Sequence, residues 1–175
     1  MVMQTNWLDR HWEFSFPVGY FPVILERFRG TPARVEDMVR SYPPELLTMR
    51  LKSAWSIQEH IGHLLDLGEL DERRLQEFLS GVATLSPADM KNEKTYNAHH
   101  NAQPIQSILR KFREERTAIV RKMEDLSEAE VGRIAMHPRL KRETRLVDWL
   151  YFMAEHDDHH IARMTGLART LLKKG

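Results

Sequence analysis

The stretch RLVDWLYFMAEHDDHHIARMTGLARTLL, residues 145–172, decides the fold. It holds no glycine or proline before Gly166, so nothing local interrupts a long helix. At about 100° per residue, Trp149, Met153, His156, His160, Met164, Leu167 and Leu171 fall within about 80° of one another and make one core-facing seam. His156 and His160 sit in mid-seam, one turn apart, where two imidazole nitrogens can reach one ion. A buried imidazole without a partner costs about 1–3 kcal/mol, so each of the two needs a hydrogen bond or a metal. His159 lies on the flank, and Asp157 and Asp158 turn progressively outward, toward solvent or toward support behind the ligands.

Working outward, three more helices are expected. The first spans 20–42, kinked near Gly30, where Thr31 as N-cap and Pro32 restart it; the prolines at 43 and 44 end it. The second begins at the capping box Ser56-Ile57-Gln58-Glu59, with Trp55 placed to pack as a staple, and runs to Gly81. The third covers 102–125, its apolar stripe running from Ile105 to Met123. Basic Arg110, Lys111, Arg113, Arg116, Arg121 and Lys122 lie largely outside that stripe and read as a solvated face, with Arg113 and Arg116 alternatively meeting an acidic substrate. Ser127-Glu128-Ala129-Glu130 is a second capping box, and 139–145 reads as a basic loop. No segment shows sustained strand alternation. These four helices predict an all-α four-helix bundle forming one domain over 1–175, preceded by an irregular arm at 1–19. The polar 82–101 stretch, with a short helical start at Ser86-Pro87, is long enough for a crossover.

Composition sets the outer bounds. The chain has 175 residues, 42% hydrophobic and 29% charged, the profile of a globular protein. Lys and Arg number 26 against 25 acids, so no net field favours nucleic acid or anionic lipid. The absence of cysteine excludes disulfides, thiolate metal sites and cysteine nucleophiles. No apolar run approaches the roughly 20 residues of a membrane span, and the N-terminal stretch lacks an apolar core, so no signal peptide and a cytoplasmic location are expected. Seven of the nine histidines fall in three clusters, 60/63, 99/100 and 156/159/160.

A third ligand should come from a facing helix, and the second offers Glu59, His60 and His63. Periodicity leaves the choice open: His60 lies nearer the apolar stripe, and Glu59 shares a face with His63. Trp55-Ser56-Ile57-Gln58-Glu59-His60-Ile61-Gly62-His63-Leu64 resembles the W-S-x-x-E-x-x-x-H-L helix start of the DinB-like family. His137-Pro138-Arg139-Leu140, followed by Trp149-Leu150-Tyr151-Phe152 and Glu155-His156-Asp157-Asp158-His159-His160, resembles that family's second motif. The resemblance runs from about residue 20 to 170 and departs mainly at Lys141-Arg142, where relatives often carry glycine. It implies an up-up-down-down bundle with a long crossover between helices two and three, and metal ligands at His63, His156 and His160.

Three neutral imidazoles without thiolate suit Zn²⁺ or Ni²⁺, with Fe and Mn as alternatives, and leave a position open for water or substrate. The resemblance implies either a thiol S-transferase using a low-molecular-weight thiol such as bacillithiol or mycothiol, or a metal-dependent hydrolase with Glu59 as base. A non-catalytic, metal-stabilised stress-response bundle and a helical interaction module are the alternatives. Glu59 also has a structural reading as the acidic half of its capping box. His60 is expected to pack or hydrogen-bond locally, and His99 and His100 to be exposed or to line a substrate mouth. Relatives often pair, so a homodimer is expected; Trp7, Trp12, Phe14 and Phe16 of the arm either cover a partner or fold back.

Overall fold

The first leg of the bundle comprises α1 (Phe21–Arg29) and α2 (Thr31–Arg40), joined at the expected kink. This computed structural model describes residues 2–173; Met1 of the arm, and Lys174 and Gly175, lie outside them. A short α3 (Pro44–Thr48) leads to the second leg, α4 (Ile57–Asp66) and α5 (Gly68–Ser80), which breaks at Leu67. Its start follows from the capping box: the Glu59 amide donates to Ser56 Oγ at 3.1 Å, and the Ser56 amide to Glu59 Oε2 at 2.9 Å. Its end follows from Gly81, whose φ of 74° is the left-handed turn that glycine adopts without strain. The third leg is α7 (Ile105–Met123) and the fourth α9 (Leu146–Leu172). Between the second and third legs lies α6 (Glu93–Asn97); between the third and fourth lie α8 (Glu128–Val131) and two strands. The second capping box is present at Ser127.

Two apolar clusters reveal the direction of each leg. One joins Phe21 and Phe28 to Phe78, Met123 and Trp149; the other joins Val35 and Val39 to Ile57, Phe112 and Leu167. The early halves of the first and fourth legs therefore meet the late halves of the second and third. Legs one and four run one way, two and three the other. The four-helix bundle and the crossover between helices two and three are as expected, but the up-up-down-down order is corrected to up-down-down-up. A crossover between the second and third legs makes those two parallel, which the expected order does not allow.

Other expectations also change. The basic loop is a hairpin of β1 (Ile134–His137) paired antiparallel with β2 (Arg142–Arg145), each too short to show alternation in sequence. Ser86-Pro87 starts no helix; Asp89 instead accepts from the Lys91 and Glu93 amides before α6. Thr31 does not cap α2: it lies inside the helix, and its hydroxyl donates to Asp157 at 2.6 Å. Asp157 does not turn outward either, being 1% exposed and held by Arg116 at 2.5 Å. Arg116 thus leaves the solvated face expected of it. Around the rim, Arg27 binds Glu155 and Asp158, and Arg34 binds Asp158, tying the first leg to the fourth. The arm folds back: Trp7 is buried beside Phe152 and His156, and Phe14 and Phe16 pack on Tyr151. No described helix is long and apolar enough to cross a membrane.

Candidate metal centre

Midway along the bundle, α4 lies against α9 between the two apolar clusters. Nearly every side of α4 is covered, so it buries Gln58, Glu59 and His63 as well as Ile57, Ile61 and Leu64. A helix enclosed on most faces has no single stripe, which is why periodicity could not choose between His60 and His63. The structure brings His63, His156 and His160 together, with one nitrogen from each ring within 4.8 Å of the others. The His156 and His160 Nε2 atoms are 3.2 Å apart, as helical neighbours four residues apart allow.

Two of the three rings are oriented from behind. His63 Nδ1 pairs with Thr95 Oγ1 at 3.1 Å, and His160 Nδ1 with His60 Nδ1 at 2.8 Å. If Nδ1–H donates in both pairs, Nε2 is left with its lone pair toward the shared space. On that tautomer His60 is the acceptor that holds the His160 ring from behind. Trp55 lies over the cluster, its ring 4.8 Å from that of His63 and 5.5 Å from that of His60. Thr95 comes from the crossover, which runs past β1 through a Thr84–Met136 bridge and then over the site. Sequence reasoning missed it, because a threonine in a polar connection carries no periodic signal.

Glu59 lies elsewhere. Its carboxylate accepts from Ser56 and from the Arg50 guanidinium, one bond of which measures 2.8 Å, and it does not line the cavity beside the histidines. Burial opposes its ionisation, but Arg50 and the Ser56 amide outweigh burial and hold it below the usual carboxylate value. The residue is engaged in its capping box and with Arg50. His100 also departs from expectation. It is 3% exposed, bonded to Asp66 at 2.8 Å, and packed so closely on Gly62 that a Cβ there would fall on its ring. His159 flanks the site, with Gln4 donating to its backbone carbonyl at 3.1 Å.

The cavity has a volume of about 230 Å³ and opens onto all three imidazoles. Trp7, Phe152 and Met153 form apolar wall, while Arg74, His137 and Arg139 add polar groups that sequence reasoning did not place there. His137 and Arg139 fell within the quoted motif, but nothing local showed which way they face.

Burial keeps these imidazoles neutral. His60 is pushed down to about 3 and His63, His137 and His159 to about 4, in each case mainly by desolvation; His156 and His160 move in the same direction. An unfolded histidine titrates near 6.5. The unfolded chain therefore gains protons below that pH while the folded chain refuses them. This contribution to stability is complete above about 6.5 and drains as pH falls toward 4, by up to about 1.4 kcal/mol per pH unit for each such ring. Asp71 works in the opposite sense: burial raises it from 3.8 to about 7, a contribution complete below 3.8 and lost as pH rises through about 7. Several rings outweigh one carboxyl. Metal-free protein is expected to lose stability steeply between about pH 6.5 and 4 in urea titrations, and a flat profile there would contradict a cluster of buried neutral imidazoles.

The family model described as the DinB superfamily matches residues 27–164. Among solved structures, the YfiT protein of Bacillus subtilis is similar in fold, with a TM-score of 0.78, 19% sequence identity and 93% of each chain covered; it is described as a probable metal-dependent hydrolase with an unusual four-helix bundle topology. No curated protein matches the sequence. With more than half its length matched, the chain belongs to the DinB superfamily.

Proposed function

We propose that this chain is a metal-dependent enzyme, of hydrolase type, that acts on a small molecule in the cavity beside His63, His156 and His160. The observation that carries this reading is the convergence of three neutral imidazoles, from two helices, on the wall of one cavity. The donor set fits a divalent cation. The rings are uncharged and need shed no proton to bind, two are oriented through Nδ1, and one nitrogen of each lies within 4.8 Å of the others. With three nitrogen ligands and no thiolate, Zn or Ni suits the site best, with Fe or Mn as alternatives. When bound, such an ion supplies Lewis-acid chemistry and keeps a position for an exogenous ligand.

The chain's own groups do the rest. His60 and Thr95 fix two ring orientations, Trp55 and Trp7 shield the imidazoles from bulk water, and the apolar wall takes the body of a substrate. Glu59 is left to its capping box, and no base role is assigned to it. The likeness to YfiT favours hydrolysis over transfer to a low-molecular-weight thiol. The experiment is metal analysis of the purified protein followed by assays with ester, amide and thiol-conjugation substrates, before and after chelation. Turnover of an ester or amide that chelation abolishes and Zn or Ni restores is the expected result. Conjugation alone would move the reading to the transferase, and turnover indifferent to chelation would overturn it.

A further inference from the structure

The cavity has a second polar wall, made by His137 at the end of β1, Arg139 in the hairpin turn and Arg74 on α5. His137 is 1% exposed, and its Nδ1 accepts from the Leu140 amide at 3.2 Å. The proton of the neutral ring therefore sits on Nε2. That N–H is buried and has no partner among the described residues. A buried donor left unpaired is a cost that a ligand acceptor removes.

The two arginines point the same way. The Arg139 guanidinium lies 5.5 Å from the ring centroids of both Trp7 and Phe152 and donates to the Trp7 carbonyl at 3.3 Å. Arg74 is buried and donates to the Ser86 carbonyl at 2.9 and 2.8 Å. Neither has a carboxylate within ion-pair distance among the described residues, whereas Arg116, just as buried as Arg74, is paired with Asp157. Asp71 and Glu77 act on Arg74 only at longer range. Asp89, the carboxylate beside the cavity, is occupied by the Lys91 and Glu93 amides. Three neutral imidazoles add no negative charge. The cavity thus holds two arginines with no carboxylate in ion-pair contact among the described residues and a free N–H donor, beside an apolar wall.

We infer that this wall is an oxyanion site: the substrate carries a carboxylate or phosphate-type group that docks on Arg139 and His137 Nε2–H, with Arg74 behind, while its apolar body lies against Trp7 and Phe152. The guanidinium fork matches either group in two-point geometry. This inference rests on reading the cavity as a substrate site and names the class of substrate.

The test uses phenylacetate, benzylphosphonate and neutral 2-phenylacetamide, titrated calorimetrically into full-length protein with and without zinc. At least one anion is expected to bind about 10-fold or more tightly than the amide, and Arg139→Gln to abolish that preference, anion and amide then binding alike. The stronger anion identifies the head group. Because Arg139 also holds Trp7, His137→Phe provides a second variant that spares the arm, and it too should weaken the anion selectively. Equal binding of anion and amide, or anion affinity unchanged in both variants, overturns the site. The readout without zinc separates this failure from failure of the enzyme reading: anion binding in a protein that takes no metal would sink the metal-dependent activity and leave the oxyanion site standing.

Discussion

If the three imidazoles hold a metal as proposed, His160→Ala is expected to abolish its binding and the stabilisation it confers. The ring provides one of three converging nitrogens, and its Nδ1 is the sole recorded partner of His60 Nδ1 among the described residues. A metal that binds only the folded state stabilises it by about 2.7 kcal/mol at 100 times its Kd. At roughly 2–4 °C per kcal/mol for a chain of this size, Tm should rise by about 5–11 °C when zinc is added to the wild type. In His160→Ala the same addition should leave Tm unchanged. His60→Ala and Thr95→Ala remove only the groups behind the ligands and are expected to lower metal affinity about 10–100-fold. Calorimetric zinc titrations of the four proteins check the order. His160→Ala binding zinc like the wild type would remove that ring from the centre, and the metal-free Tm of each variant shows whether its fold survived.

The second large effect concerns the buried ion pair. Arg116→Ala is expected to destabilise the fold by about 3–5 kcal/mol, because the Asp157 carboxylate would be left at 1% exposure with only the Thr31 hydroxyl beside it. That corresponds to a fall in Tm of roughly 6–20 °C. Arg116 also donates to the Phe28 carbonyl at 2.9 Å, with its guanidinium carbon 3.5 Å from the Phe28 ring centroid, so the substitution frees three partners at once. Replacing both charges, as Arg116→Met with Asp157→Leu, should recover most of the loss, since the penalty lies in the unpaired charge more than in the absent attraction. Thermal melts of the single and double variants decide this, and a single-variant cost below about 1 kcal/mol would mean that the pair is solvated after all. Asp157 adjoins His156, so the pair also fixes the rotation of α9 that turns its histidines toward α4.

The features legible along the chain are local. Both serine capping boxes, the kink near Gly30, the stop at Gly81 and the His156/His160 seam depend on residues within a turn or two of each other, and helical periodicity makes such relations readable. Length alone announced the crossover. The sense of the legs came from packing, because the same four amphipathic stripes suit several bundle orders until the ends are seen to meet. Packing also decided which charges are buried: Arg116, Asp157 and His100 look solvated on their own helices and turns and are covered only when another element arrives. Resemblance, not periodicity, pointed to His63. Thr95, His137, Arg74 and Arg139 stayed hidden for the same reason. Each comes from a connection or a different leg, and a side chain's direction toward a shared cavity is a property of packing that no window of neighbouring residues contains.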